Sequence, residues 1–312
     1  MHRSVGHVAP LLMGVAVAGC GLGPGEELGG GAELRVTRDF GQERLVTAER
    51  DEVRESDTAM RLLQSEADVE TEYGGGFVQS VDGVEGGGPA GSRDWFYFVN
   101  GLEADVGAAD FSLAPGDVVQ WDYRYWGEAM RVPAIVGAYP EPFLHGRRGE
   151  RVPTRVECGD DVAAACDEVV ERLGDAGVTA SEAAVGAPAS SEVLRVVVAT
   201  WPVARDVRAL QPIEAGPASS GVFARFSADG GELSLLDEEG GEAQAAPPGT
   251  GLLAATELPE DHVVWAVTGA DAAGVEAAAE ALDERVLEDA FAIAATPDGL
   301  VRLPVGPNPG GS

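Results

Sequence analysis

The chain has 312 residues, 53 of them acidic against 21 basic, for a formal net charge of −32. Lysine is absent, so every one of those basic residues is arginine. A surface this acidic repels phosphate backbones and excludes nucleic acid as a partner. It also disfavours lying flat on anionic lipid.

The N-terminus carries a weakly basic start (His2, Arg3), an apolar run from Val8 to Gly19, and then Cys20. As a helix that run spans about 18 Å, too short for a hydrocarbon core of roughly 30 Å. Its length and the small residues before Cys20 suit a cleaved leader instead. Val17-Ala18-Gly19-Cys20 resembles the lipobox of bacterial lipoproteins. The resemblance implies removal of residues 1–19, lipidation of Cys20, and a molecule anchored by lipid to the outer face of the cytoplasmic membrane. Residues 20–32 are Gly-rich and read as a flexible tether with a reach of about 20 Å.

A first domain is expected over residues 33–126. Leu34 and Val36, then Leu45 and Val46, suggest a hairpin about Gly41-Gln42. Ser56 or Asp57 is placed to cap a short helix bearing Met60, Leu63 and Ala67 on one stripe. Strands follow at Phe77–Val81 and Trp95–Val99, then Asn100-Gly101 as a turn, then a strand from Val118 to Trp126. Strands around one helix indicate an α+β domain. The Pro-rich stretch 127–152 reads as a linker or crossover.

A second domain, 153–304, alternates element types. Expected are a strand at Arg155–Glu157, a helix capped by Asp160 or Asp161, and buried strands at Val193–Thr200 and Val263–Thr268. A hairpin joins Val222–Phe226 to Leu233–Leu236. Asp271 opens a long helix with Val275, Ala278, Ala279, Leu282 and Val286 inward. Together these predict an α/β layer with a mixed sheet. Residues 305–312 read as a disordered tail. With Cys20 lipidated, Cys158 and Cys166 are left as an even pair in an oxidising compartment, which reads as a disulfide. The alternative, a metal site, lacks a histidine nearby in sequence.

Alternation assigns the rings of the first domain to faces. Trp95, Tyr97 and Val99 share one face of their strand, and Phe96 and Phe98 the other. On the later strand Val119, Trp121, Tyr123 and Tyr125 share a face, opposite Asp122, Arg124 and Trp126. One core of about 95 residues does not easily bury all these rings. Trp95, Tyr97, Trp121, Tyr123, Tyr125 and Trp126 are therefore candidate ligand-binding residues. The competing expectation is cross-strand packing or a seal against the second domain.

Gly75 to Gly83, Asp94 to Gly101 (Asp-Trp-Phe-Tyr-Phe-Val-Asn-Gly) and Pro115 to Tyr123 follow one another in order. Together these three motifs resemble a bacterial lipoprotein domain of unknown function, one related to the C-terminal domain of transcobalamin and intrinsic factor, over about residues 33–126. That resemblance implies a β-grasp-like fold in a group that includes modules for soluble ligands. By the resemblance alone, a corrinoid or similar cofactor delivered to a transporter is the ligand to consider. The rest of the chain resembles no known family.

Catalytic and metal signatures are weak. His145 and His262 are the only histidines after Cys20, and neither neighbours a cysteine. A phosphate-binding P-loop requires lysine. Gly216 to Gly221 misses the spacing of a nucleophile elbow. No catalytic residue or metal ligand is expected. The expectation is a non-enzymatic binding protein, or an envelope adaptor whose aromatic faces contact another domain or protein.

Overall fold

The computed structural model describes residues 25–72, 76–87, 91–188, 190, 192–258 and 263–306. Cys20, His262, the leader and the end of the tail lie outside the described residues. Within them, no helix is long and apolar enough to cross a membrane.

The first layer begins with strands β1 (Ala32–Arg38) and β2 (Glu43–Arg50), then helix α1 (Ala59–Glu66). Next come β3 (Val69–Glu72), β4 (Phe77–Val81), β5 (Val84–Glu85), β6 (Arg93–Val99), β7 (Leu102–Glu103) and β8 (Val118–Tyr125). The main sheet runs β2-β1-β8-β6-β7, with β1 parallel to β8 and its other neighbours antiparallel. A hairpin, a helix and a returning strand beside the first is the expected β-grasp arrangement. α1 lays Met60, Leu62 and Leu63 on the sheet, in one core with Leu34, Val36, Trp95, Val119 and Trp121. Its cap is Thr58, whose Oγ1 accepts from Arg61 N, and not Ser56 or Asp57. Asp57 instead takes Arg54 N and the Arg50 guanidinium.

The second layer contains β9 (Thr154–Cys158), α2 (Ala163–Asp175), β10 (Ala180–Ala184), β11 (Leu194–Thr200) and the short helices α3 (Trp201–Ala204), α4 (Pro212–Ala215) and α5 (Pro217–Ser220). A small antiparallel sheet follows, β12 (Ala224–Phe226), β13 (Leu233–Leu236) and β14 (Glu242–Ala245). The chain ends with β15 (Gly251–Thr256), β16 (Val264–Gly269), α6 (Ala272–Glu280), α7 (Glu284–Leu287), β17 (Ala292–Thr296) and β18 (Gly299–Leu303). The large sheet is mixed, as expected, in the order β10-β9-β11-β16-β15-β17-β18. Its first four strands are parallel and its last three antiparallel.

Two expected helices differ. The cap of α2 is Val162, whose side chain cannot accept a hydrogen bond, and Asp161 accepts instead from Thr200 Oγ1. The long helix from Asp271 is two helices: Asp271 caps α6, and Asp283 accepts from Arg285 N and Val286 N to restart the turn as α7.

Stretch 127–152, expected to be a linker or crossover, is a packed crossover. Val132, Ala134, Ile135, Val136, Tyr139 and Phe143 are all buried. Ile135 belongs to the core shared by the two sheets, while Val136, Tyr139 and Phe143 join α2 and α6 on the far face of the large sheet. Prolines broke its periodicity without making it flexible. Its neighbour Ala134 pairs with Leu102, and Ile135 N donates to Gly101 O, so the crossover also borders the β-grasp sheet.

Candidate functional site

The two faces of β6 and β8 go to different places. On the inner face Phe98 joins Phe40, from the β1–β2 turn, and both meet rings of the second layer. Phe40 lies 4.9 Å from Phe223 and 5.2 Å from Phe291, and Phe98 lies 5.3 Å from Phe291. Arg124 is fully buried there, 3.8 Å above the Phe96 ring. Its guanidinium donates to Ala129 O at 2.7 Å and Met130 O at 3.0 Å, and Glu103 lies 3.6 Å away. Burial pulls the Arg124 pKa down to about 10, so it stays charged at neutral pH.

Asp122, also fully buried, organises the turn that presents Phe40. Asp39, Phe40 and Gly41 all have positive φ, a strained state for the two non-glycine residues. The Asp122 carboxylate offsets that strain by accepting from Phe40 N (3.0 Å), Gly41 N (2.9 Å) and Thr37 Oγ1 (2.7 Å). Burial nevertheless raises its pKa to about 6. Around this seal Arg44 pairs with Asp289 and Glu288, Gln120 Nε2 donates to Asp289 O, and Arg35 Nη1 donates to Gly137 O. The inner face is therefore a contact between the two layers.

The outer face is open at one end. A groove of about 400 Å³ is lined by Trp95, Tyr97 and Trp121 from the outer face of the sheet, Phe96 from its inner face, Met60 from α1, Phe77 from β4, and Val106 and Met130 from flanking loops. Tyr97 stacks on Trp121 at 4.8 Å, and its hydroxyl donates to Val106 O at 2.5 Å. Desolvation pushes that phenol above its usual pKa, so it remains a neutral donor. Phe77, Val106 and Met130 are three of only seven large hydrophobic side chains exposed among the described residues. Their gathering at one lip is the anomaly of this surface, since scattered exposed hydrophobics need no explanation and clustered ones do. Glu103 and Arg131, 3.4 Å apart, close one end. Desolvation raises the Glu103 pKa despite the two nearby arginines.

The six candidate aromatic residues thus separate. Trp95, Tyr97 and Trp121 line the groove. Tyr123 stands behind it, its ring 5.3 Å from Trp95, with its hydroxyl on Glu85 O while Trp95 Nε1 donates to Val84 O. Tyr125 packs toward the interlayer core under Arg93, and Trp126 is half-buried beyond the strand end; neither belongs to the groove lining. Sequence reasoning missed Met60, Phe77, Val106 and Met130 as lining residues. Only Phe77 carried a local signal, as an aromatic residue directly after a glycine run.

Cys158 at the end of β9 and Cys166 in the first turns of α2 form the expected disulfide, with Cα atoms 5.8 Å apart. His145 is held by Glu141, its Nδ1 2.5 Å from Glu141 Oε1, over the turn at Gly116.

Residues 56–124 match the family model described as Domain of unknown function (DUF4430). That match falls inside the stretch whose motifs carry the resemblance above. No curated protein matches the chain. Among solved structures, the chain is similar to that of a candidate metal-binding protein from Ruminococcus gnavus ATCC 29149. Identity is 16%, covering 31% of this chain and 97% of that one, with a TM-score of 0.26. At that score the likeness carries no argument about function.

Proposed function

We propose that the protein is a lipid-anchored, non-enzymatic binding protein on the outer face of the cytoplasmic membrane. Its β-grasp layer offers the outer groove to a small ligand with apolar ring surface. The observation that carries this reading is the clustering of Phe77, Val106 and Met130 at the mouth of a cavity floored by Trp95, Tyr97 and Trp121. A cavity of this size suits a small molecule. Trp95 and Trp121 are buried beneath the groove, so contact with an occupant falls to half-buried Tyr97 and to the exposed Phe77, Val106 and Met130. The Glu103–Arg131 pair supplies the one polar end.

The resemblance to the transcobalamin C-terminal domain makes a corrinoid the first ligand to try. Such a molecule is too large for the groove to enclose. It would rest one edge of its ring there, with a transporter or another envelope protein as the partner that receives it. Export and acylation at Cys20 supply the address, and Cys20→Ser moves the protein from the membrane to the soluble fraction on this reading.

The groove is tested by titrating the full chain with cobalamins and with smaller planar compounds, following tryptophan fluorescence corrected for ligand absorption. Saturable quenching that is weakened in the Phe77→Ala/Met130→Ala chain supports the reading. No saturable quenching with any of these compounds counts against it. In that case the rival reading, a protein-binding adaptor, takes its place.

A further inference from the structure

The groove leaves unused a cluster of soft ligand atoms on the opposite layer, the one found among the described residues. The Cys158 and Cys166 sulfurs and a carboxylate oxygen of Glu182 all lie within 4.8 Å of one another. Topology brings the third member in. β10 is the edge strand, parallel to β9, and Glu182 pairs with Val156 while Ala184 pairs with Cys158. Residues paired in a parallel ladder share a face, so Glu182 stands on the same side of the sheet as Cys158, the side covered by α2.

Glu182 is exposed and makes no ion pair or hydrogen bond among the described residues. The contrast with Glu157 on the neighbouring strand is sharp. Glu157 takes Arg155, both guanidinium donors of Arg195, and Gly186 N. Glu157 is buried and Glu182 exposed, so what singles Glu182 out is its place beside the two sulfurs.

We propose that Cys158, Cys166 and Glu182 form a redox-gated site for a divalent cation of the zinc class. Two thiolates and one carboxylate suit a borderline-soft ion, with water left to complete four-coordination. Oxidised, the site is closed by the sulfur–sulfur bond. An external dithiol opens it by exchange: the Cys158–Cys166 bond breaks, two thiols form, and the dithiol leaves as its own disulfide. The cation then replaces both thiol protons, which pass to solvent. Either bond closes the same short loop between β9 and α2, so the fold there has two interchangeable clasps. The site is independent of the groove and of lipidation.

The test uses the full chain carrying Cys20→Ala, reduced anaerobically with a phosphine and titrated with Cd²⁺, whose thiolate charge-transfer absorption reports sulfur ligation. The expected result is one ion per chain in the reduced protein and none in the oxidised protein or in Cys166→Ala. Glu182→Gln is expected to weaken binding by roughly tenfold or more. Two titratable thiols without a cadmium band, or unchanged affinity in Glu182→Gln, overturn the proposal. If reduction unfolds the chain, circular dichroism decides: recovery of the native signal on adding Zn²⁺ supports the site, and no recovery overturns it.

Discussion

β6 and β8 alternate side chains alike on both faces, yet one face is sealed and the other is left open. The inner face meets a second sheet, and its rings and charges are matched there by Phe223, Phe291 and Asp289. The outer face meets only an eight-residue helix and short strands, which cover part of it and leave a groove. Alternation assigns a residue to a face. What covers that face depends on residues far away in the chain, as Asp289 is from Gln120.

The comparison breaks first on the sealed side. Phe98→Ala is expected to cost about 3–5 kcal/mol, because the cavity it leaves is walled by both layers. Chemical denaturation measures it, and a loss below about 1 kcal/mol would show the inner face to be loosely packed. Arg124→Met keeps much of the volume over Phe96 but strands the carbonyls of Ala129 and Met130 and leaves Glu103 with Arg131 as its remaining cation. An expected loss of about 3 kcal/mol follows, since removing one partner of a buried charge pair exposes the full desolvation cost of the other. Arg124→Lys should not rescue it, because an ammonium cannot reproduce the flat stacking on Phe96.

Asp122 gives the seal a pH dependence of known sign. Its folded pKa of about 6 lies above the ordinary 3.8, so the folded state holds the proton more tightly. That contribution is fully present below the unfolded pKa, near pH 4, and is lost as pH rises through about 6. Wild type should therefore gain stability relative to Asp122→Asn as pH falls from about 7 to about 4. Parallel pH profiles for the two proteins would contradict this.

The smallest effect is expected on the open side. Met130→Ala should change stability by no more than about 0.5 kcal/mol, since its side chain is 59% exposed, and Phe77→Ala, at 37%, by somewhat more but still less than Phe98→Ala. Their loss should register chiefly in ligand affinity. A large destabilisation would mean that the rim is structural and the groove incidental.

The sequence showed much of the frame. Branched and aromatic strands such as Val118–Tyr125 and Val264–Gly269 declare themselves, and so does the pair of cysteines. β15 (Gly-Leu-Leu-Ala-Ala-Thr) and β17 (Ala-Ile-Ala-Ala-Thr) did not, because alanine and glycine favour strands weakly and only burial between other strands holds them extended. Stretch 127–152 read only as linker or crossover because its apolar residues follow no single period. Val136 and Ile135 serve different cores from adjacent positions. The groove was half legible. Its floor is one strand pair, but its rim is assembled from Phe77, Val106 and Met130, whose proximity exists only after folding.

Methionine offers the most direct check on the groove. Of the four methionines in the chain, Met1 and Met13 precede Cys20, and the other two, Met60 and Met130, both line the groove. The chain from Cys20 onward, labelled with carbon-13 at the methionine methyls, therefore places both of its probes at the site. Titration with a ligand that quenches the tryptophans should shift both methyl signals, the exposed Met130 more than the buried Met60. Quenching that leaves both signals unmoved would place the ligand elsewhere and contradict the account.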